Sequence, residues 1–556
     1  MLAWLAQPSP ARGIRFAGPG EQWDFWSYQR LAGLTHRVAG ALVEAGVGPG
    51  DVVSLVGRGG PRFVAALFGV LRAGATVSPL APPMVFGDAG GYAQHLRAAL
   101  AAAAPRVVVT EVDLGTALPP GYTALRLDEL TEGALDERTL AREDPGAAAG
   151  RQPAAVALLQ FTSGSSGRGR AIRIAHDALA ANVAAIRAWL GMHGQHATAS
   201  WLPPHHDMGL TGCLITPVVD SGDLWLMSPE EFVHRPLRYL RCLGRSGAAH
   251  TAMPTFGLAH IVRRVPPRDL VGLDFTGVRA LIVGAERVDD DAARRLLDLL
   301  APHGLRPQAL LPAYGLAEAT LAVTGQPVGD PWTATRFDQA SLVPGHRVRP
   351  GVDADDPTLV GCGQALRGVR VTVTDPAGTP VADGTVGEIT VAGDGVGDGY
   401  ADSDDAPSAS LTAFVNGSVR TGDAGFLYEG QLFVLGRLGD SLKIRARTVF
   451  AEDLEAAVTA HGVPGHRFAA ALGVRTGRHT VVGVLERPRD GWLATAESVL
   501  RRRTDGADVV IVDAPPGTIP RTSSGKPRRR QLWQTFLADE LTGSSTVPID
   551  TTQESA

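Results

Sequence analysis

The sequence predicts a multidomain α/β (α+β) protein in which layered sheets and helices precede a β-rich region and a small α/β unit. Its 556 residues exceed what a single hydrophobic core normally organises. From about residue 25 to 325, short apolar strands alternate with turns and longer helical stretches, as in layered α/β structure. From about residue 360, alternating valines and tight turns favour antiparallel strands. The predicted divisions are a large N-terminal domain (1–436) with a β-rich subdomain (360–436), a connection (437–441), a small C-terminal α/β domain (442–540) and a disordered polar tail (541–556).

Individual elements of the large domain follow from hydrophobic periodicity. Residues 154–161, "AAVALLQF", predict a buried strand, and residues 170–174 predict a second strand after an intervening loop. Apolar residues then recur at helical spacing between 179 and 190. Residues 278–288 predict another strand, and residues 289–300, "DDDAARRLLDLL", predict a helix whose acidic first turn suits the helix dipole.

The C-terminal third has a different pattern. Val369, Val371 and Val373 alternate with polar residues, and Glu429-Gly430 lies at the centre of a predicted hairpin. Residues 325–358 are rich in Pro, Gly and Asp without clear periodicity, and such a long irregular segment is usually functional or disordered.

Composition excludes several classes of protein. A net charge of −5, from 52 basic and 57 acidic residues, favours neither a nucleic-acid partner nor a membrane surface. The apolar stretch 63–80 contains Arg72 and is too short to span a bilayer, so we expect a buried helix followed by a strand. The N-terminus lacks the pattern of a signal peptide. The three cysteines, Cys213, Cys242 and Cys362, have no metal-ligand spacing, which makes a reducing cytoplasm the expected location.

Lysine is scarce in this chain. Of the 52 basic residues only Lys443 and Lys526 are lysines, and the other 50 are arginines. A position that keeps lysine in such a chain is a candidate for a site that needs a compact ammonium group, although chance is the competing explanation.

The loop that follows the strand at 154–161 has the composition of a phosphate site. Hydroxyl groups and glycines form the run Thr162, Ser163, Gly164, Ser165, Ser166 and Gly167. The spacing is not that of a P-loop NTPase, because the loop has no lysine and leads into a strand. The residues alone leave two interpretations equally open, a flexible surface turn and an anion-binding nest of backbone amides.

Three further segments carry candidate residues. Glu318 follows Tyr314 by four residues, so its carboxylate could hold Mg²⁺ while the ring stacks on a base; a capped helix start explains the pattern equally well. Asp423 is predicted in a glycine-flanked turn, where it could bind ribose hydroxyls or form an ordinary Asx turn. Lys526 lies in a Ser/Gly loop near the C-terminus.

Taken together and in this order, these segments resemble the adenylate-forming (ANL) superfamily from about residue 20 to 535. "WLPPHHDMGLTG", "LMSPEEFVHRPLRYLRCL", "LIVGAERV", "LLPAYGLAEATLAVTG" and "IPRTSSGKPRRR" most resemble the fatty acyl-AMP ligases. The resemblance implies a large adenylation domain, a hinge at Asp440 and a mobile C-terminal domain. It also identifies 325–358 with an insertion that hinders the rearrangement admitting coenzyme A.

The resemblance implies that the chain activates a carboxylic acid, expected to be a fatty acid, as acyl-AMP and pyrophosphate, with ATP and Mg²⁺ as cofactors. Thr162, Ser163, Gly164, Ser165, Ser166 and Gly167 would bind the ATP β- and γ-phosphates. Gly284, Ala285 and Glu286 would line the adenine pocket, and Tyr314 would stack on the base, with the adjoining Gly315 in the same nucleotide site. Asp423 and Arg437 would hold the ribose, and Glu318 would bind Mg²⁺.

Lys526 would be catalytic, and His206 and Asp207 would lie at the mouth of the acyl tunnel, whose walls would include parts of 226–232 and 253–261. A metal site at His205, His206 and Asp207 is the competing interpretation of that motif.

Three positions depart from the family pattern, one at the end of the phosphate loop and two in the hinge region. Arg170 stands where the superfamily often has lysine, Lys443 where many of these ligases have an apolar residue, and Ala446 where glycine is customary. Ala446 would crowd a pantetheine path and so disfavours coenzyme A. The expected acceptor is an acyl carrier protein in trans, which Arg501–Arg503 and Arg528–Arg530 could meet; a solvated basic face is the alternative. An acyl-CoA synthetase and a non-catalytic adenylate-binding homologue are the alternative functions.

Overall fold

The computed structural model describes residues 1–83, 89–131, 154–162, 169–353, 356–401, 411–444, 447–504, 506–522 and 525–545. It has the mixed α/β multidomain architecture that the sequence predicts, with several sheets.

A six-stranded sheet forms the first layer. All neighbouring strands are parallel except the last pair, and helices Tyr28–Glu44 and Pro61–Arg72 pack on each other over the same core. The apolar stretch 63–80 therefore forms a buried helix and a strand, which confirms the prediction. The strands in spatial order are Ala124–Arg126, Val107–Thr110, Val52–Val56, Thr76–Leu80, Val156–Phe161 and Ala171–Ala175.

A nine-stranded sheet forms the second layer. Its six central strands are parallel, and an antiparallel strand or strand pair closes each side. Most residues of these strands are buried, which is typical of strands covered on both faces. The strands in spatial order are Gln364–Ala365, Ala322–Gly325, Leu310–Gly315, Ala280–Val283, Ala248–Met253, Ala197–Ser200, Leu224–Leu226, Gly13–Ala17 and Trp23–Ser27.

Helices lie between these strands along the chain. The helix Asp290–Leu300 starts where the acidic run predicts, and the Asp289 carboxylate caps it by accepting hydrogen bonds from the amides of Asp291 and Ala292. In the described part of the chain, no helix is both long enough and apolar enough to cross a membrane. The other helices of this region are Ala89–Ala103, Leu127–Leu130, His176–Leu190, Thr216–Asp220, Pro229–His234, Pro236–Gly244 and Thr255–Arg264, with the π-helix Met208–Ile215.

The β-rich region is one antiparallel five-stranded sheet. The strands Ser418–Tyr428 and Gln431–Arg437 form the hairpin predicted around Glu429-Gly430. Val369, Val371 and Val373 lie in one strand, as their alternation predicts. The strands are Val369–Thr374, Gly387–Gly393, Ala413–Val415, Ser418–Tyr428 and Gln431–Arg437.

The irregular segment 325–358 is ordered where it is described. Strand Ala334–Arg336 pairs with Thr358–Val360, which begins at the last residue of the segment. Phe337 is fully buried and packs edge-on against Phe426 and Phe433 of the β-rich sheet, at centroid distances of 5.1 and 5.3 Å. Aromatic anchoring therefore replaces the periodicity that the sequence lacks.

The C-terminal region has its own sheet and core. Strands Phe468–Arg475, Arg478–Glu486 and Asp508–Ala514 are covered by helices Ala451–Ala460, Trp492–Arg503 and Arg529–Leu537. A two-stranded ribbon, Ser441–Ile444 with Arg447–Phe450, precedes them.

The expected disordered tail differs from the structure at its start. Ser544–Ser545 forms a fourth strand of the C-terminal sheet beside Val512 and Asp513, so the expectation of disorder from residue 541 is wrong there. Backbone pairing at an open sheet edge needs no apolar side chains, which is why composition did not indicate it. Residues 546–556 lie outside the described part of the chain.

Candidate active site

Tyr314 and Arg437 form a cluster around the buried Asp423 where the second sheet meets the β-rich sheet. The Tyr314 hydroxyl donates to the Asp423 carboxylate at 2.6 Å, and Arg437 Nε donates to the other carboxylate oxygen at 2.8 Å. Burial and the adjacent carboxylate raise the pKa of Tyr314, and Asp423 raises that of Arg437. The phenol and guanidinium therefore stay protonated and both donate to the Asp423 carboxylate.

Asp423 lies in a strand, which corrects the predicted turn. It pairs with Arg437 across the hairpin, within the strand Ser418–Tyr428. Gly422, with φ of +72°, and a register shift after Ala424 distort this strand. The glycine-flanked sequence thus marks an irregular strand rather than a chain reversal.

Glu318 is a buried carboxylate beside this cluster. It lies in a short 3-10 turn, Ala317–Ala319, rather than at the start of an α-helix. Only 7% of Glu318 is exposed, and one carboxylate oxygen accepts a hydrogen bond from the Tyr400 hydroxyl at 2.8 Å. Burial raises the pKa of Glu318, while Tyr400 and Arg437 partly offset that effect.

Tyr400 is a site residue that sequence analysis missed. The Tyr400 hydroxyl donates to Glu318, and the Arg170 guanidinium lies over the Tyr400 ring at 3.2 Å from its centroid. No local motif marks Tyr400, because it reaches Glu318 only through tertiary contact. Arg170, in contrast, was noted in the sequence as a cation at the end of the phosphate-like loop.

The ends of that loop are paired with each other. The amide of Thr162 donates to the Arg170 carbonyl at 3.0 Å, and the amide of Arg170 donates to the Thr162 hydroxyl at 3.1 Å. Ser163, Gly164, Ser165, Ser166 and Gly167 lie outside the described residues.

The segment Gly284, Ala285 and Glu286 follows the strand Ala280–Val283. Ala285 has a left-handed backbone with φ of +66°, and Glu286 accepts a hydrogen bond from the Phe256 amide at 2.8 Å. Burial raises the pKa of Glu286.

Gly315 ends the strand Leu310–Gly315, which pairs with Ala280–Val283, and the backbone of Leu321 approaches it closely. A Cβ atom there would lie 2.0 Å from the Leu321 carbonyl oxygen. Only glycine fits at this position next to Tyr314.

His206 and Asp207 immediately precede the π-helix Met208–Ile215, and Asp207 is its N-cap residue. The Asp207 carboxylate accepts a hydrogen bond from the Met208 amide at 2.8 Å, and burial raises its pKa. Among the described residues, no group of three or more His, Cys, Asp or Glu side chains could hold a metal ion, so the metal-site interpretation of His205, His206 and Asp207 is wrong.

The expected acyl-tunnel segments lie together around Trp201. The Trp201 ring stacks face to face on Phe232 at 4.0 Å, and Phe256 meets its edge at 5.6 Å. Trp201 begins the segment WLPPHHDMGLTG, and the sequence does not indicate its role because its neighbours in space are far away in sequence.

Lys526 reaches this site from the C-terminal domain. Its amide donates to the Thr522 hydroxyl at 3.1 Å and its carbonyl accepts from the Thr522 amide at 2.8 Å, which forms a tight turn around Gly525. Burial lowers the pKa of Lys526, and the carboxylates of Glu286, Asp207 and Asp423 act electrostatically on it. Three acids from separate segments of the large domain thus raise the pKa of the ammonium group, and Arg437 lowers it.

The other lysine and the arginine clusters lie elsewhere. Lys443 is exposed on the ribbon strand Ser441–Ile444. Arg529 is paired with Asp440 at 3.2 Å, Glu452 at 2.7 Å and Glu455 at 2.7 Å, and is 14% exposed. The expectation that Arg529 faces a carrier protein is therefore wrong, since it stabilises the small domain.

Comparison with known proteins is consistent with this arrangement. The family model described as AMP-binding enzyme matches residues 6–401. Two proteins of Mycobacterium tuberculosis are each 32% identical to this chain: the putative fatty-acid–CoA ligase fadD25, with 96% of both chains covered, and the long-chain-fatty-acid–AMP ligase FadD26, with 88% of both covered. A chain from a structural study of fatty acyl-adenylate ligases from E. coli and L. pneumophila is 28% identical, with 97% of both chains covered and a TM-score of 0.85.

Proposed function

The chain belongs to the AMP-binding enzyme family, and from that premise we propose that it activates a fatty or other carboxylic acid as an acyl-adenylate, using ATP and releasing pyrophosphate. One observation carries the proposal. The carboxylates of Asp207, Glu286 and Asp423 of the large domain act electrostatically on Lys526 of the small domain, which supports a cation working with groups suited to hold a nucleotide and an acid.

The reaction needs charge stabilisation more than acid–base catalysis. An oxygen of the substrate carboxylate attacks the α-phosphorus, the bond to the β-phosphate oxygen breaks, and pyrophosphate leaves. The nucleophile is already ionised, so the barrier lies in bringing two anions together. The Lys526 ammonium bridges the carboxylate and the α-phosphate as a compact point charge. His206 and Asp207 position the acid at the tunnel mouth.

The cluster of Tyr314, Asp423 and Arg437, with the segments beside it, binds the nucleotide. Asp423, held by Tyr314 and Arg437, accepts hydrogen bonds from the ribose hydroxyls. Gly284, Ala285 and Glu286 border the adenine, the Tyr314 ring faces it, and Gly315 keeps that strand closely packed. Thr162 and the residues 163–167 bind the β- and γ-phosphates.

The residues present fit a magnesium ion. Glu318 offers a buried carboxylate oxygen ligand, and the nearby Asp207 contributes to raising its pKa, so a divalent cation would relieve the repulsion between the two acids. Bound Mg²⁺ would neutralise charge on the phosphates, and Glu318 would hold it.

An acyl carrier protein in trans is the proposed acceptor. The insertion at 325–358, which is ordered where the structure describes it, favours a carrier thiol over coenzyme A. Ala446 lies outside the described residues. The insertion reaches the small domain, where Arg503 donates to Gln339 at 3.4 Å, and would restrain rotation about Asp440. The second candidate is an acyl-CoA synthetase, which the name of the similar protein fadD25 favours.

The proposed location is the cytoplasm, where ATP is available. The three cysteines are free and buried, which suits a reducing compartment.

Hydroxylamine trapping tests the activation step. The chain is incubated with ATP, Mg²⁺ and a panel of fatty and aryl acids, and hydroxamates are identified by mass spectrometry. We expect hydroxamate with fatty acids and none without ATP. Silence across the panel would favour a non-catalytic homologue. Supplying coenzyme A and a holo carrier protein in parallel then tests the acceptor, and efficient CoA thioester formation would contradict the carrier proposal.

A further inference from the structure

Arg287 and Asp453 form an ion pair between the two domains. Arg287 directly follows Glu286 in the large domain, and Asp453 lies in the first turn of the small-domain helix Ala451–Ala460. Each side chain is 20% exposed, so the pair is largely shielded from solvent. Water therefore screens it less than it screens the surface pairs of this chain.

The pair is linked to the Lys526 turn through the helix Ala451–Ala460 and a second set of ion pairs. The helix that carries Asp453 also carries Glu452 and Glu455, which bind Arg529 at 2.7 Å each. Arg529 begins the helix Arg529–Leu537, three residues after Lys526. Arg529 also binds Asp440, at the expected hinge, at 3.2 Å. The position of Arg287 therefore sets that of the Lys526 turn through rigid elements.

We propose that Arg287 and Asp453 form a latch that holds the small domain in the orientation in which Lys526 reaches the reacting carboxylate and phosphate. Both are positioning residues, since neither touches a reacting atom. The inference rests on the proposed adenylation activity, because only that reaction gives Lys526 its task.

The latch affects the two half-reactions differently. Adenylate formation needs Lys526 in the site and therefore the closed pair. Acyl transfer from adenylate to a thiol, in which the thiolate attacks the carbonyl carbon and AMP leaves, does not need Lys526 there. Opening the latch should slow the first half-reaction and spare the second.

Charge reversal tests the latch. We expect Arg287→Glu to lower ATP–pyrophosphate exchange by about fivefold, the effect of losing an ion pair of this kind. Acyl transfer to pantetheine from added acyl-adenylate should stay within about twofold of the unmodified chain. The double variant Arg287→Glu/Asp453→Arg restores the pair in reverse and should recover the exchange. Arg295→Glu is the matched control, because Arg295 pairs at 2.7 Å with Asp291 on one exposed helix.

Lysine labelling reports domain orientation independently of activity. The chain has only two lysines, so acetylation by sulfo-N-hydroxysuccinimide acetate gives two side-chain signals by mass spectrometry. The ratio of Lys526 to Lys443 labelling should rise in Arg287→Glu and return in the double variant.

The latch would be overturned if Arg287→Glu and Arg295→Glu showed equal rates of ATP–pyrophosphate exchange. An unchanged ratio of Lys526 to Lys443 labelling in Arg287→Glu would also overturn it. If the unmodified chain makes no adenylate with any acid, the proposed function fails, while the labelling ratio still decides whether the pair holds the domains.

Discussion

Replacing Lys526 should separate catalysis from folding. The Lys526 turn is held by its backbone and by Thr522, so the Lys526→Ala variant should fold normally. The substitution leaves Asp207, Glu286 and Asp423 without the ammonium group that faces them. A preorganised charge contact of this kind contributes about 3 kcal/mol to transition-state stabilisation, or about 150-fold in rate.

The assay is ATP–pyrophosphate exchange as a function of pH. The ammonium form of Lys526 is the active one, and burial lowers its pKa, so exchange should fall as pH rises through that pKa. Lys526→Arg keeps a cation at every accessible pH and should lose this alkaline decline, at a lower overall rate because a planar guanidinium fits a point-charge task poorly.

Lys443→Ala is the matched control, since Lys443 is exposed and is the only other lysine. It should retain full exchange. A Lys526→Ala rate within about fivefold of the unmodified chain would refute the reasoning, as would an alkaline decline that persists in Lys526→Arg.

Three other substitutions test the neighbouring carboxylates. Asp423→Asn breaks the pair with the partly exposed Arg437 and should cost about 2 kcal/mol of unfolding free energy in urea denaturation; a cost below about 0.5 kcal/mol would contradict the geometry. Glu318→Gln should raise the Mg²⁺ concentration for half-maximal exchange at least about tenfold, whereas an unchanged titration would remove Glu318 from the metal site. Burial raises the pKa of Glu452 from 4.5 to about 7, so the folded protein keeps a proton that the unfolded chain releases. Stability should therefore fall as pH rises from 4.5 to 7, and Glu452→Gln should flatten that dependence in thermal melts; an unchanged slope would exclude Glu452 as its source.

Local sequence predicted the elements with strong periodicity. The strands Val156–Phe161 and Ala280–Val283 and the helix Asp290–Leu300 lie where apolar spacing and acidic caps indicate, because burial of one face determines their structure. The order of short motifs along the chain predicted the family, which no motif did alone.

Features set by tertiary contact could not be predicted. Tyr400 binds Glu318 across 82 residues, and Arg287 binds Asp453 across 166, with no local pattern at either end. Asp423 was expected in a turn because Gly422 indicates one, yet pairing with Arg437 keeps it in a strand. Long-range pairing thus overrode local turn propensity.

The irregular insertion illustrates the same limit. Its Pro, Gly and Asp content gives no periodicity, and one aromatic residue, Phe337, anchors it to the β-rich sheet. The segment is also held by the pairing of Ala334–Arg336 with Thr358–Val360 and by the buried Leu342 and Val348, and hydrophobic periodicity does not detect such contacts.

Oxygen transfer from the acid to AMP tests the central claim most directly. The chain is given ATP, Mg²⁺ and a fatty acid labelled with ¹⁸O in its carboxylate, and the adenylate is discharged with hydroxylamine. Attack on the α-phosphorus predicts AMP that carries one ¹⁸O atom and pyrophosphate that carries none. Label in inorganic phosphate, formation of ADP, or unlabelled AMP would contradict acyl-adenylate formation.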